Sequence, residues 1–375
     1  MRKGLHKILV TGGAGFIGSA FVRLLLRDCP ESLRQLRGIH PERSEGPSRP
    51  KGLSPQKANS KNTKGTVPEL VVVDKLTYAG DLKRLEEVKG KYKFYRVDIC
   101  NKKQVEQIFE KEKPDTVLNF AAATHVDRSI QDASPFMETN VKGTQILLDV
   151  SRKYKIKKFI QISSDEVYGE IRKGKFSEGS PLQPNSPYAA SKAAADLLIR
   201  TYIRTYGFPA IIVRPCNNYG PWQYPEKFIP LSILRILQNK KIPVYGRGKN
   251  VREWLYVEDC AEGILQILEK GKLGEVYNLG SNQERQNIEM AKTILKIFRK
   301  NEGLIGFVKD RPGHDFRYSL NSRKIYRDTG WHAGIGFQMG LEKTAQWCRE
   351  HRDWLFNHGK NVSRMYDNIS YKYGF

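Results

Sequence analysis

The run KILVTGGAGFIGS, residues 7–19, constrains this chain more than any other stretch. Residues 7–11 read as a buried strand, and residues 15–28 as an amphipathic helix ending near Pro30. Between them Gly12, Gly15 and Gly18 satisfy both a GxGxxG and a GxxGxxG spacing. Strand, glycine turn and helix in that order open a dinucleotide-binding sheet. Gly12 permits the tight turn, Gly15 lets backbone approach a pyrophosphate, and Gly18 lets helix and sheet pack closely. The helix N-terminus then stabilises the phosphate charge. The competing reading, a plain glycine turn, does not account for the flanking strand and helix.

Regular alternation continues downstream. Strands are expected at ELVVVD, KFYRVD, TVLNFAA, KFIQISS and AIIVRP, with helices over NKKQVEQIFEKE and about 135–154 and 187–206. Strands alternating with helices imply right-handed crossovers and a parallel sheet covered on both faces. The expected fold is therefore α/β, a doubly wound, Rossmann-type parallel sheet. After Pro215 the chain changes to short mixed elements rich in Tyr, Trp, Pro and Gly. Residues 1–214 are read as a dinucleotide-binding domain and 215–375 as a smaller, mixed α/β substrate domain. The chain is expected to cross back to the first somewhere in 252–285.

Residues 38–68 break the pattern, with Pro41, Pro47, Pro50, Pro55 and Pro68 among Ser, Asn, Lys and Arg. Such a segment buries too little apolar surface to order itself and is expected to be a disordered insertion. It also explains a spacing anomaly. Asp74, ending the strand ELVVVD, suits the ribose of an adenosine and its charge would repel the 2′-phosphate of NADP, so the cofactor is read as NAD. Asp74 nevertheless lies 56 residues beyond Gly18, against roughly 20 in the usual arrangement. Removing the insertion restores a near-normal interval.

The chemistry is concentrated between two later motifs. QISSDEVYG places Asp165 and Glu166 after a hydroxyl-rich strand end, Ser163-Ser164. SPYAASKAAADLL places Tyr188 and Lys192 four residues apart on one helix face. An ammonium beside a phenol lowers the phenol's pKa, so Tyr188 is expected to act as the base that accompanies hydride transfer. Tyr154 and Lys158 share the spacing but straddle a helix end and a strand, so they need not align. A dehydrogenase needs one base. An acid and a second base imply that water is eliminated too. In isolation the doublet reads as solvated carboxylates at a strand end; its place between Ser163-Ser164 and YAASK favours chemistry.

Cys29, Cys100, Cys216, Cys260 and Cys348 are odd in number, scattered and never spaced CxxC, which argues against a disulfide framework and a structural zinc site. No metal is expected. No apolar run reaches membrane-spanning length and no signal peptide precedes the first strand, so a cytoplasmic location is expected. The formal net charge of +24 is the anomaly, yet no nucleic-acid module or interleaved aromatic-basic stripe accompanies it. An anionic small-molecule partner is preferred to nucleic acid.

These motifs together resemble the extended short-chain dehydrogenase/reductases and, within them, the dTDP-glucose 4,6-dehydratase family. The resemblance rests on TGGAGFIGS, DKLTYAG, THVDRSI, SSDEVYG, YAASK, NNYGPWQYPEKFIP, VREWLYVEDCAEGI, YNLGSNQERQNIE and DRPGHDFRY. It covers nearly everything outside 38–68. It implies NAD-dependent dehydration of dTDP-glucose to a 4-keto-6-deoxy sugar by C4 oxidation, loss of water across C5 and C6, and hydride return to C6. Tyr188 would take the C4 hydroxyl proton with Lys192 beside it, Glu166 the C5 proton, and Asp165 would protonate the departing C6 hydroxyl. Ser164, where the family usually has threonine, would keep a hydroxyl for the sugar's 4-oxygen.

The resemblance further implies that Phe16, Ile17, Lys75, Thr77, Asp98, Ile99, Ala121, Ala123 and Asn217 join the glycines and Asp74 around NAD. Ala123 departs from the glutamate many relatives carry. For the nucleotide it points to Asn218, Arg252 and Arg311 at the diphosphate, with Asn287 and His314 nearby, and to Lys227, Pro243 and Tyr245 at the base. His125 and Asp127 are read as bracing residues. A homodimer pairing helices near 135–154 and 187–206 is also implied. A 4-epimerase of the same fold, a UDP- or GDP-hexose dehydratase, and an NAD-holding nucleic-acid-binding protein are the rivals. The first and last have no use for Asp165-Glu166.

Overall fold

The computed structural model describes residues 6–27 and 68–372. The expected insertion, apart from Pro68, lies outside the described residues, as does Cys29. Strands β1 (Lys7–Thr11), β2 (Glu69–Val73), β3 (Lys93–Tyr95), β4 (Thr116–Asn119), β5 (Lys158–Ile162) and β6 (Ala210–Pro215) follow in chain order. Three short strands come next, β7 (Asn217–Tyr219), β8 (Ile242–Tyr245) and β9 (Val251–Tyr256), then β10 (Val276–Leu279), β11 (Glu284–Gln286) and β12 (Ile305–Val308). One parallel seven-stranded sheet has the order β10-β6-β5-β4-β1-β2-β3. The chain runs outward from β1 through β3, then returns to β4 on the other side of β1. That reversal opens a crevice at the carboxyl ends of β1 and β4, where ligands of such sheets bind.

Both faces are covered, which is why the strands are continuously apolar rather than alternating. Ile8 and Val10 pack on one face with Phe21 and Leu25 of α1 (Phe16–Leu26). Leu9 and Val71 pack on the other with Phe109 of α2 (Lys102–Glu112). The remaining helices are α3 (Val126–Gln131), α4 (Thr144–Lys153), α5 (Pro187–Tyr206), α6 (Phe228–Leu237), α7 (Val257–Lys270), α8 (Asn287–Ile297), α9 (Arg323–Thr329), α10 (Phe337–Glu350) and α11 (Arg352–Lys372). Among the described residues no helix is long and apolar enough to cross a membrane.

The chain beyond Pro215 serves two cores. A three-stranded sheet (β11-β9-β7) and the pair β12-β8 enclose a separate apolar cluster with Tyr219, Ile233, Trp254, Met290 and Leu341. Residues 257–279 return to the large sheet: α7 packs against α1, and β10 pairs with β6 from Val276↔Ile212 to Leu279↔Pro215.

Two local departures from the expected helices bear on the site. The stretch read as one helix over 135–154 is a helical turn at Ser134–Phe136, a π-helical turn at Met137–Gly143, and α4. The wider turn aims Asn140 inward, where its amide holds the Ala123 carbonyl at 3.0 Å and the Ser191 hydroxyl at 2.8 Å. The six-residue α3 is too short for hydrophobic periodicity to reveal; His125 caps it by accepting the Arg128 N–H through Nδ1.

Candidate active site

The glycine turn is fixed by what a side chain would strike. Gly12 has φ +67°, and a Cβ there would lie 2.5 Å from the Ala121 backbone nitrogen. A Cβ on Gly18 would sit 2.3 Å from the Gly12 carbonyl oxygen and 3.1 Å from Gly13 Cα. The close packing at Gly18 is thus of helix against turn backbone, where the sequence suggested helix against sheet. Gly15 caps α1 without a side-chain hydrogen bond, leaving the first-turn N–H groups to an anion. Asp74 follows β2 and accepts N–H bonds from Ala14 at 3.0 Å and Leu76 at 2.8 Å, which ties the acidic residue to the turn. Burial raises the Asp74 pKa while those two bonds oppose the rise.

A cleft of about 370 Å³ runs from this turn across the carboxyl ends of β1 and β4. It is lined by Gly12, Gly15, Phe16, Ile17 and Gly18, then by Asp74, Lys75, Thr77, Asp98, Ile99 and Ala121. Lys75 does not point freely into it: its ammonium pairs with Asp98 at 2.5 Å. Ala123 is not among the lining residues. It bonds Asn140 and packs with Val126, Phe136 and Tyr188 instead. Asn217, Asn218 and Lys227 complete the far wall. Buried oxygens of Asn217, Asn218, Gln223 and Asp165 have no hydrogen-bond partner among the described residues. An open phosphate-sized turn, an acidic strand end and unpaired polar atoms along one cleft fit a dinucleotide with a second polar ligand beside it.

Ser164, Asp165, Glu166, Tyr188 and Lys192 meet in the middle of this cleft. β5 ends at Ile162, and Ser164 caps a 3-10 turn over Asp165–Tyr168, its hydroxyl accepting the Glu166 N–H at 3.2 Å. The same hydroxyl donates to Asp165 Oδ1 at 3.2 Å. On the facing side, α5 begins at a Ser186 cap with Pro187 in its first turn and ends at Gly207 in the left-handed region. Tyr188 and Lys192 stand one turn apart on its buried side. The Lys192 ammonium donates to the Ile162 carbonyl at 2.5 Å.

The two carboxyls have unlike surroundings. Burial raises Asp165 well above the usual carboxylate range, and the charges of Glu166 and Glu253 push it further. Burial raises Glu166 too, but Arg311, Arg252 and Lys227 all oppose the rise. Tyr188 is a correction to the sequence reading. Burial and the Glu166 charge raise its pKa, partly offset by the Ser164 hydroxyl, and Lys192 is not among the larger influences. Burial lowers Lys192 to about 8, with Asp196 opposing. The decoy pair separates: Tyr154 caps the end of α4, and Lys158 donates to the Leu268 carbonyl at 2.7 Å.

The residues expected at the nucleotide do not gather in one place. Tyr245, Arg311 and His314 gather around Asp127, which accepts from the Tyr245 hydroxyl at 3.0 Å and from Arg311 at 3.1 Å. His314 stacks edge-on to Tyr245 at 5.9 Å and bonds Asp310. Arg252 sends its guanidinium to the Val251, Asp315 and Phe316 carbonyls and lies over Tyr318, so only its charge faces Glu166. Lys227 donates to the Thr124 carbonyl at 2.7 Å. Of the residues expected at the nucleotide, Asn218 and Lys227 line the cleft; Tyr245, Arg252, Arg311 and His314 are not among its lining residues, and neither are Pro243, in β8 opposite Gly306, and Asn287, at the start of α8. Glu226 escaped the sequence reading. It is buried in the cleft wall, accepts from Tyr78 at 3.0 Å, and lies 3.7 Å from Arg128.

A family profile described as GDP-mannose 4,6 dehydratase matches residues 62–344. The dTDP-glucose 4,6-dehydratase of Neisseria meningitidis serogroup B is 42% identical over 377 residues, spanning 94% of this chain and 96% of that protein. The chain belongs to the dTDP-glucose 4,6-dehydratase family. A family member of known structure, the DesIV dTDP-glucose 4,6-dehydratase of Streptomyces venezuelae with NAD bound, superposes with a TM-score of 0.80 at 41% identity. That match covers 93% of this chain and 98% of the other. A UDP-glucose 4-epimerase of Thermotoga maritima shares the architecture at a TM-score of 0.75 but only 27% identity, covering 92% of this chain and 99% of that one. The architecture is common to both, so the sheet alone does not separate a dehydratase from an epimerase.

Proposed function

We propose that this chain converts dTDP-glucose to dTDP-4-keto-6-deoxyglucose as an NAD-dependent hydro-lyase. One observation carries this reading: two adjacent carboxyls with opposed electrostatic surroundings share a cleft with the Tyr-Lys pair. When bound, NAD supplies the hydride acceptor for C4 and the hydride donor for C6. Gly12, Gly15, Gly18 and Asp74 would hold it.

Tyr188 takes the C4 hydroxyl proton as hydride leaves; burial and the Glu166 charge raise its pKa, so this role requires the positive charge of bound NAD and of Lys192, one turn along the helix, to oppose them. The resulting C4 ketone acidifies the C5 proton. Glu166 then removes it, since Arg311, Arg252 and Lys227 favour its ionised form. Asp165, buried and flanked by the negative charges of Glu166 and Glu253, retains its proton and delivers it to the departing C6 hydroxyl. Ser164 links the two by bonding both the Asp165 carboxyl and the Glu166 N–H. A 4-epimerase would have no task for either carboxyl.

Arg311 and Lys227 are the preferred partners of the substrate diphosphate, a planar fork and a point charge respectively. Tyr245, held by Asp127, is the preferred contact for the base. The product is a 4-keto-6-deoxy sugar nucleotide of the kind that feeds dTDP-rhamnose synthesis in a cytoplasmic setting. Exposed Met137, Leu197 and Tyr206, on the turn before α4 and on α5, favour a homodimer through these helices. The test offers dTDP-, UDP- and GDP-linked glucose to the purified protein. A 4-keto-6-deoxy product from the dTDP sugar, without net NADH accumulation, supports the reading. A product that keeps all its hydroxyl groups overturns it.

A further inference from the structure

Arg84 is a buried guanidinium whose three hydrogen bonds go to backbone carbonyls of three separate segments. Its Nη1 donates to the Ala14 carbonyl in the glycine turn at 2.8 Å and to the Ala79 carbonyl in the loop after β2 at 2.6 Å. Its Nε donates to the Trp222 carbonyl, in the loop between β7 and α6, at 3.1 Å. The first two segments border the cofactor end of the cleft, which Gly12, Gly15, Asp74 and Thr77 line. The third carries Gln223, Tyr224, Glu226 and Lys227 of the far wall. Trp222 itself has φ +69°, a left-handed conformation in which an aromatic residue is strained. Both ends of the residue are held: the carbonyl by Arg84, the ring against Trp347 of α10 at 4.8 Å and Trp354 of α11 at 5.4 Å. Arg84 Nη2 has no hydrogen-bond partner, and a buried cation resting on neutral carbonyls is a poor way to stabilise a fold. An apolar side chain would fill the space with less desolvation.

We propose that Arg84 is a positioning residue that couples the cofactor end of the cleft to the nucleotide-sugar end, so that NAD and dTDP-glucose each tighten the other's binding. The proposal rests on the dehydratase reading. A pyrophosphate on the first-turn N–H groups of α1 and a ribose at Asp74 would immobilise the glycine turn and the loop after β2. The Ala14 and Ala79 carbonyls are then fixed, and with them the guanidinium. Its Nε in turn fixes the Trp222 carbonyl, directly before Gln223. Held from the cofactor side, the strained residue presents its loop to the sugar nucleotide. Linkage makes the effect reciprocal: a nucleotide that orders the loop also orders the turn. A second bond runs in parallel, from the Tyr78 hydroxyl to Glu226 at 3.0 Å, but it joins side chains and Tyr78 is exposed. Arg84 joins backbone to backbone, inside the protein.

Calorimetry tests this on the full chain. Binding of dTDP is measured on protein stripped of NAD and on protein reloaded with it, and binding of NAD with and without dTDP. In the unmodified protein each ligand is expected to tighten the other by about 10-fold or more, equally in both directions. Arg84→Met leaves three carbonyls without their donor, which threatens folding. Arg84→Lys keeps a buried cation but replaces the fork with a point charge that cannot meet all three carbonyls. In both variants the coupling factor is expected to fall to within about 2-fold of unity. Glu112→Ala is the control. Glu112 is buried at the end of α2, next to the amino edge of the sheet, and accepts from Lys93 at 2.8 Å and Tyr95 at 2.6 Å. Its loss should lower Tm and leave the coupling intact. No coupling in the unmodified protein, full coupling in a folded Arg84 variant, or lost coupling in Glu112→Ala would each overturn the proposal. If UDP or GDP binds and dTDP does not, the dTDP reading fails, and the same factor measured with that nucleotide still tests Arg84. Binding of none of the three sinks both.

Discussion

Asp165 and Glu166 are neighbours in sequence, yet their environments give them different preferred protonation states. Burial raises Glu166 while three cations oppose the rise, which favours it over Asp165 as the proposed base. Glu166→Gln keeps shape and removes the base, so C4 oxidation should proceed while elimination stalls. The expected signature is NADH absorbance that persists at close to one equivalent per site, with steady turnover down at least about 100-fold, the usual scale for losing a general base. Full turnover by Glu166→Gln would assign the base elsewhere. Asp165 carries a stability consequence. Its folded pKa is raised, so between the unfolded value of 3.8 and the folded value the native state holds a proton the unfolded chain has released. Stability contributed by this group is present at low pH and is lost as pH rises through that window. Asp165→Asn abolishes the acid but escapes the loss. It should raise Tm by roughly 2–4 °C at neutral pH, an increment that shrinks as pH is lowered. A lower Tm than the parent at neutral pH would mean that the buried carboxyl is stabilising after all.

At the scale of elements, the glycine turn separates two effects that are easily confused. Gly18→Ala drives a methyl group into the Gly12 carbonyl, and backbone on both sides cannot yield. Overpacking of this kind costs about 1–3 kcal/mol, so Tm should fall along with NAD affinity. Gly15 differs: its φ of −76° suits any residue, and a Cβ there would meet only the Gly12 oxygen, at 3.0 Å. Gly15→Ala should therefore change stability by less than about 1 kcal/mol while weakening NAD binding by more than about 10-fold. Calorimetry of the apoprotein and NAD titration distinguish the two, and equal loss of Tm in both variants would refute the distinction. Elements such as these were legible in the chain because their signals are local. α5 announces itself with Ser186-Pro187 and closes at Gly207, and the expected bounds 187–206 are the observed ones. The π-helical turn at Met137–Gly143 was not legible, because it is imposed from outside. A Cβ at Gly143 would sit 2.6 Å from Ile99, and Asn140 is claimed by Ala123 and Ser191. Asp127 was legible only as a brace, since its partners Tyr245 and Arg311 lie 118 and 184 residues away.

The whole molecule is a large sheet and a smaller module clasped around one cleft. Tyr78 from the loop after β2 bonds Glu226, Arg84 donates to the Trp222 carbonyl, and Trp354 of α11 donates to Asp81 at 2.7 Å. At its other end α11 is tied to α6, where Asp367 pairs with Arg235. Every one of these clasps lies on the carboxyl side of the sheet or beyond it. The junction between α1 and β2 lies on the opposite side. α1 starts at the turn and runs back towards the amino edge, where Glu69 opens β2 by accepting an ion pair from Lys7 at 2.7 Å and donating its N–H to the His6 carbonyl. Gly12 and Asp74 stand at the far ends of the same two strands, with the Gly12 N–H on the Val73 carbonyl at 2.8 Å. Whatever joins Leu26 to Glu69 leaves and returns a full strand length from the cofactor turn. Excising 40–66 leaves 28–39 and 67 as the link, which reaches roughly 40 Å when extended and so spans the gap without strain. Loop-closure entropy changes slowly with length, so the shortened chain should lose no more than about 1 kcal/mol. NAD affinity and turnover of dTDP-glucose are expected within about 2-fold of the parent. A folded excision variant, verified by its circular dichroism and Tm, that no longer binds NAD would place residues 40–66 in the cofactor site despite the geometry of the strands that flank them.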